Sequence, residues 1–169
     1  MRLVRLFGMA ALAAAALAGC TRSDAAVTPT PGPAVKALDV PGLPSDLLGL
    51  RITREDVGAD LAKVNKAYVQ ALSLYSLRRD DLVMATLQVS RFNPGADVNS
   101  EHFRQTVVNQ IGARAPRTVR LGAQTVYLTT GTKQSIAVWF KGPTLFVLAT
   151  RADYDEPRTL LRRTLEIGS

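Results

Sequence analysis

The sequence predicts a single α+β domain, a largely antiparallel sheet with helices packed on it, over residues 45–169. Runs of alternating apolar residues follow one another with only short turns between them, which is typical of antiparallel strands. Two helical patterns with capping residues interrupt and close these runs. The 169-residue chain contains one cysteine, so this core must be stable without an intramolecular disulfide.

The predicted strands end at turn-forming residues. Residues 72–91 indicate a hairpin that turns at Asp80 and Asp81, which pairs Leu72 with Val89. A one-residue slip would move the apolar side chains of this hairpin to the opposite face. The other predicted strands cover residues 48–53, 118–121, 124–130, 134–140 and 144–151.

Helices are predicted from capping residues and from apolar spacing. Ser100 is a good N-cap, and apolar residues recur at four-residue spacing from Phe103 to Ile111. A closing helix over 157–167 begins with proline, which suits the first turn. An earlier helix is expected over 56–66.

An aromatic group on the last three strands is the candidate ligand face. Alternation along these strands places Tyr127, Trp139 and Phe146 opposite the apolar set that includes Val126 and Val138. Two interpretations remain open for this face. Either a helix covers it as a second core layer, or part of it is an apolar pocket for a lipid chain, a hydrophobic ligand or a partner protein.

The N-terminus has the anatomy of a secretory signal. Arg2 and Arg5 precede an apolar run over residues 6–17. This run is too short to span a bilayer, which requires about 20 apolar residues. The sequence therefore predicts export of the chain.

The end of this run, Leu17-Ala18-Gly19-Cys20, resembles the lipobox of bacterial lipoproteins at all four positions. The resemblance implies cleavage between Gly19 and Cys20 and a thioether-linked diacylglyceryl group on Cys20. A thiolate is the nucleophile that such a modification needs. Two acyl chains suffice for stable anchoring, so we expect the protein to be lipid-anchored on the extracytoplasmic face of the cell membrane.

Three segments are therefore expected: a signal peptide over 1–19, a lipidated, proline-rich tether over 20–44 and the globular domain over 45–169. The tether contains Pro29, Pro31, Pro33, Pro41 and Pro44. The order of elements in the domain, together with the lipobox, is similar to that of PsbP-type photosystem proteins and some small actinobacterial lipoproteins. This resemblance implies an α+β fold and assigns no site residues.

The positive net charge of the chain indicates which classes of binding partner are favoured. The formal net charge is +7, and the signal carries two arginines, so the mature chain has 7 − 2 = +5. This charge favours anionic lipid headgroups or acidic envelope polymers. We do not expect a nucleic acid partner for an exported protein.

No catalytic residue, metal site or cofactor is predicted. His102 is the single histidine, and Ser100, two residues before it, suits an N-cap better than a nucleophile. The predicted function is a membrane-anchored, non-enzymatic binding or accessory module of the cell envelope, with an unidentified envelope protein or apolar ligand as partner. The alternatives are a carrier of lipid or another apolar small molecule, and an envelope hydrolase.

Overall fold

The computed structural model describes residues 35–57, 68–111 and 116–167. Within these residues the chain forms one nine-stranded sheet with a helix packed on each face. The predicted combination of a largely antiparallel sheet with packed helices is confirmed, although strands predominate and helices are few. No helix in the described ranges is long and apolar enough to cross a membrane.

Few helices stand between the strands of the chain, and most strands pair with a strand that is next to them in the sequence. The elements are β1 (Lys36–Ala37), β2 (Asp46–Leu47), β3 (Leu50–Arg54), β4 (Val69–Arg79), β5 (Leu82–Phe92), α1 (Glu101–Gln110), β6 (Arg117–Leu121), β7 (Gln124–Thr130), β8 (Gln134–Lys141), β9 (Thr144–Arg151) and α2 (Pro157–Leu165). Across the sheet the order is β2-β3-β4-β5-β9-β8-β7-β6. These pairs are antiparallel, and β1 lies parallel to β4.

Successive side chains of each strand point to opposite faces of the sheet. Both faces are apolar, because each receives buried apolar residues from these strands. The face that packs against α1, here the α1 face, includes Leu72, Phe92, Tyr127, Ile136, Val138, Phe140, Leu145 and Val147. The face that packs against α2, here the α2 face, includes Ala71, Tyr75, Leu77, Leu87, Val89, Val126, Ala137, Trp139, Phe146 and Leu148. The sheet is thus the middle layer of the described fold.

The hairpin between β4 and β5 turns where the sequence predicts it, with Asp80 in the left-handed region at φ 54°. The predicted pairing of Leu72 with Val89 is wrong, because Leu72 lies opposite Ser90. A register shift near the turn leaves Met84 as an extra residue in β5. This β-bulge moves the pairs from Leu77 back to Ala71 by one position, and a second register shift between Val69 and Ala71 reverses the change.

The predicted boundary between tether and domain at residue 45 lies too late in the chain. β1 pairs with β4, and Val35 and Leu38 on either side of β1 are buried. Residues 35–44 therefore include part of the folded domain. The predicted signal, the lipidation site and the rest of the tether lie outside the described residues, as does the helix expected over 56–66 except for its first two residues, which are not helical.

Candidate functional site

The Trp139 and Phe146 rings form a stacked pair on the α2 face. The two residues lie opposite each other on β8 and β9, with ring centroids 5.3 Å apart and an interplanar angle of 6°. Trp139 is 0% exposed, and Leu160 and Leu161 of α2 belong to the same buried cluster. A helix therefore covers this part of the candidate ligand face, which is a second core layer.

Tyr127 lies on the opposite side of the sheet from Trp139. In the pairing of β7 with β8, Tyr127 is opposite Val138, and Val126 is opposite Trp139. This register is one residue away from any that would place Tyr127 on the same face as Trp139, so the side chains of β7 point to the faces opposite to those expected. The expectation that Tyr127, Trp139 and Phe146 share one face is wrong for Tyr127.

The Tyr127 hydroxyl connects the sheet to the first turn of α1. It lies 3.2 and 3.3 Å from the two carboxylate oxygens of Glu101. Burial of the ring, then the negative charge of Glu101 and its hydrogen bond to the hydroxyl, raise the pKa of Tyr127, and Arg104 partly opposes this shift. Tyr127 therefore donates a hydrogen bond as a neutral phenol and holds α1 on the sheet.

The indole nitrogen of Trp139 is buried, and no residue in the described ranges accepts a hydrogen bond from it. A buried donor without a partner carries a desolvation cost. Packing of the ring against Phe146 and α2 must outweigh this cost for the stack to persist. The stack is accordingly held by apolar packing.

Ser100 and His102 lie at the start of α1. A hydrolase function would require Ser100 as the nucleophile and His102 as the base. The Ser100 hydroxyl oxygen accepts a hydrogen bond from the Phe103 N–H at 3.4 Å, which confirms Ser100 as the N-cap. His102 is exposed on the helix surface. Within the described part of the chain, no group of three His, Cys, Asp or Glu side chains could hold a metal ion.

A polar cluster where β1 meets β4 was not predicted. Ser73 and Arg54 hold the segment at Leu38 and Asp39, and we call these four residues the N-terminal clasp. The Arg54 guanidinium donates to the Ser73 hydroxyl at 2.9 Å and to the Asp39 carboxylate at 3.0 Å. The available sequence signal was Ser73 itself, a small polar residue inside an apolar strand.

The clasp is completed by hydrogen bonds to the backbone of Leu38. The Leu38 carbonyl accepts from Ser73 at 2.7 Å and from the Tyr75 hydroxyl at 3.3 Å. Ser73, Tyr75 and Leu38 are all buried. Buried hydrogen bonds are costly to leave unmade, so the clasp fixes the segment through which the chain enters the domain.

Comparisons with protein-family models, with curated proteins and with solved structures find no match for this chain. The predicted lipidation site, Cys20, and the predicted cleavage site after Gly19 lie before the first described residue.

Proposed function

We propose that this protein is a lipid-anchored, non-enzymatic accessory module on the extracytoplasmic face of the cell membrane. The observation that carries the proposal is the sequence Leu17-Ala18-Gly19-Cys20 at the end of a secretory-type signal. A diacylglyceryl group on Cys20 supplies two acyl chains, which is enough for stable anchoring.

The N-terminal clasp supports this proposal, because an anchored domain needs a firm connection to its anchor. Val35 follows Cys20 by 35 − 20 = 15 residues and is already buried against the sheet. A segment of that length reaches at most about 50 Å. The anchor would therefore keep Val35 within about 50 Å of the membrane, and the clasp fixes the following residues, Leu38 and Asp39, to β3 and β4.

The packing of the sheet favours an accessory module over a carrier of apolar molecules. A carrier would need Trp139 and Phe146 to line a cavity, whereas Trp139 is fully buried and stacked on Phe146 under α2. The hydrolase alternative would need Ser100 as a nucleophile, but its hydroxyl caps α1. The outer surface of the domain then remains as the place where a partner binds.

Metabolic labelling of the full-length chain with a palmitate analogue tests the anchor. The wild-type protein should take up label and fractionate with membranes, and Cys20→Ala should lose the label and stay uncleaved at Gly19. Thr21→Ala is the matched control, because it alters the neighbouring residue and keeps the thiol. Label that persists in Cys20→Ala, or that is missing from the wild type, would overturn the proposal.

A further inference from the structure

The two outermost strands of the described sheet differ in length. β2 ends the sheet on one side with two residues, Asp46 and Leu47, whereas β6 ends it on the other side with five residues, Arg117–Leu121. Backbone groups that point away from a sheet edge can pair with another strand, and a very short edge strand limits such pairing. β6 is therefore the outermost strand that is long enough to accept a further strand.

β6 lacks the features that most often block pairing at a sheet edge. Its five residues pair with β7 in one continuous register, so no bulge bends the strand. The strand contains no proline or lysine, and its two charges, Arg117 and Arg120, point to opposite faces. Within the described residues, no strand pairs with the outer side of β6. Thr118 and Val119 are β-branched residues, which favour an extended strand.

The apolar layer of the α2 face continues to the outermost strand. Val119 lies opposite the fully buried Val126, and Val119 and Leu121 pack against the buried cluster of this face. Both side chains are only partly buried. A strand beside β6 would remove their remaining apolar surface from water, which is favourable.

We propose that β6 pairs antiparallel with β6 of a second copy of this chain, so that the two sheets join across a two-fold axis at Val119. Val119 then faces its own copy, Arg117 faces Leu121, and Thr118 faces Arg120, with each of the last two contacts made twice. All five residues of β6 are paired, and no two arginines are directly opposite. The aliphatic part of Arg117 covers Leu121 of the other copy. This pairing does not require the lipid anchor.

The residue types of β6 disfavour the other registers. A two-fold axis at Arg117 or at Arg120 would place two arginines directly opposite each other, which is destabilising. An axis at Thr118 would pair Arg120 with Pro116, which has no N–H to donate. An axis at Leu121 would pair the strand with the turn that follows it. The strand is thus complementary to itself in the register centred on Val119.

Glu101 supplies a counter-charge for Arg120 in this arrangement. The two Arg120 residues lie diagonally across the axis, so a nearby anion is needed to offset their repulsion. Arg120 of the second copy extends the row of Thr118 and Tyr127, about 10 Å from Tyr127. The Tyr127 hydroxyl binds the exposed Glu101 carboxylate, which forms no ion pair within the described ranges. The long arginine side chain can therefore approach Glu101 on each side of the axis.

Disulfide formation in cells that produce the full-length chain tests this register. Residues directly opposite in antiparallel strands have Cα atoms about 4.5–5.5 Å apart, which suits a disulfide. Val119→Cys should therefore give a disulfide-linked dimer on a non-reducing gel after mild oxidation. Ala123→Cys is the matched control for random collision, because position 123 lies in the exposed turn after β6.

The unsubstituted chain reports any disulfide formed by Cys20, its single cysteine. If this chain also forms a disulfide-linked dimer, Cys20→Ala is added to every chain and the comparison is repeated. The yield at position 119 is then read without a contribution from Cys20.

Sedimentation of the purified full-length chain in detergent, over a range of protein concentrations, measures dimerisation. Arg120→Glu should lower the dimerisation constant by about 2- to 30-fold, because two symmetry-related cross-strand contacts are lost. Arg51→Glu is the matched control, since it makes the same change of charge at an exposed residue of β3, far across the sheet. Val119→Lys should abolish the dimer, because two ammonium groups would face each other. Trp139 emission checks the fold of each variant, and the exposed Arg120 decides if Val119→Lys does not fold.

Equal disulfide yields for Val119→Cys and Ala123→Cys, or equal losses for Arg120→Glu and Arg51→Glu, would overturn the pairing of β6 with itself. So would a chain that stays monomeric at every concentration. A thiol introduced by Val119→Cys that neither links two copies nor reacts with a maleimide would show that another segment of this chain covers β6. A disulfide to a different protein would assign the edge to that protein. Each of these last two results would also reject the proposal.

Discussion

The hydroxyl group of Ser73 satisfies both backbone polar groups of Leu38. Its oxygen accepts a hydrogen bond from the Leu38 N–H at 2.9 Å, and it donates one to the Leu38 carbonyl at 2.7 Å. The same oxygen accepts from Arg54 at 2.9 Å. Because one small side chain makes three contacts in a buried position, it determines where the N-terminal segment joins the sheet.

Replacing Ser73 by alanine should lower the free energy of unfolding by about 1–3 kcal/mol, because the buried N–H of Leu38 loses its partner and the Leu38 carbonyl loses the shortest of its hydrogen bonds. Urea denaturation of the two proteins measures the difference. Ser45→Ala is the control, since Ser45 is exposed, and its effect should stay within about 0.5 kcal/mol. Equal losses for the two variants would show that the Ser73 hydroxyl has no special role.

Removal of residues 35–44 should destabilise the domain. A chain that begins at Ser45 lacks β1 and the buried side chain of Leu38, whereas a chain that begins at Val35 keeps both. Leu38→Ala alone should cost about 2–5 kcal/mol, and the shorter chain should lose at least as much. Thermal unfolding compares the three proteins, with each 1 kcal/mol lowering Tm by about 2–8 °C. Identical Tm values for the two chains would contradict the assignment of residues 35–44 to the domain.

Trp139→Ala should cost about 3–5 kcal/mol of stability, because it removes a fully buried ring from the stack with Phe146. Trp139→Phe should cost less, since it keeps an aromatic ring over Phe146 and removes the N–H that lacks a partner. Chemical denaturation ranks the two variants.

Trp139 is the only tryptophan, so its fluorescence reports on this stack directly. The emission should be blue-shifted in the folded protein and unchanged by added fatty acids or phospholipids. Saturable quenching by such ligands would contradict a closed core and favour the carrier function.

The stability of the protein should fall in alkaline solution through Tyr127. Its folded pKa is raised above the ordinary value near 10, mainly by burial and then by Glu101. The stabilising contribution is therefore complete below about pH 10 and is lost as pH rises from there toward the folded pKa. Unfolding free energies at about pH 8 and about pH 11 measure the loss.

Tyr127→Phe should reduce this difference, because phenylalanine does not ionise. Glu101→Gln should reduce it in part, since it removes the negative charge that raises the pKa. Tyr154, whose pKa burial also raises, should leave a residual decline in both variants. An unchanged difference in Tyr127→Phe would assign the alkaline loss to other groups.

Local signals in the sequence predicted the elements closely. The predicted strands over 124–130 and 144–151 coincide with β7 and β9. Ser100 caps α1, and proline begins α2, as expected. Turns and helix caps depend on a few adjacent residues, so they can be predicted from the local sequence without knowledge of distant partners.

Strand register was harder to predict from the sequence, because it depends on residues that are far apart in the chain. The extra residue at Met84 shifts the β4–β5 hairpin, and a one-residue difference between β7 and β8 moves Tyr127 to the α1 face. In each case the alternating pattern fits either register, and only packing against both helices decides between them.

The sequence by itself predicted the class of fold and most element boundaries, and it contains the tetrapeptide resembling a lipobox on which the anchor proposal rests, because each of these features lies in short contiguous segments. Only the tertiary structure decided that Trp139 is enclosed and that Ser73 holds Leu38. Ser73 and Leu38, for example, are separated by 35 positions in the chain. Their proximity arises from hydrogen bonding between strands and from packing of the two helices, which no local pattern specifies.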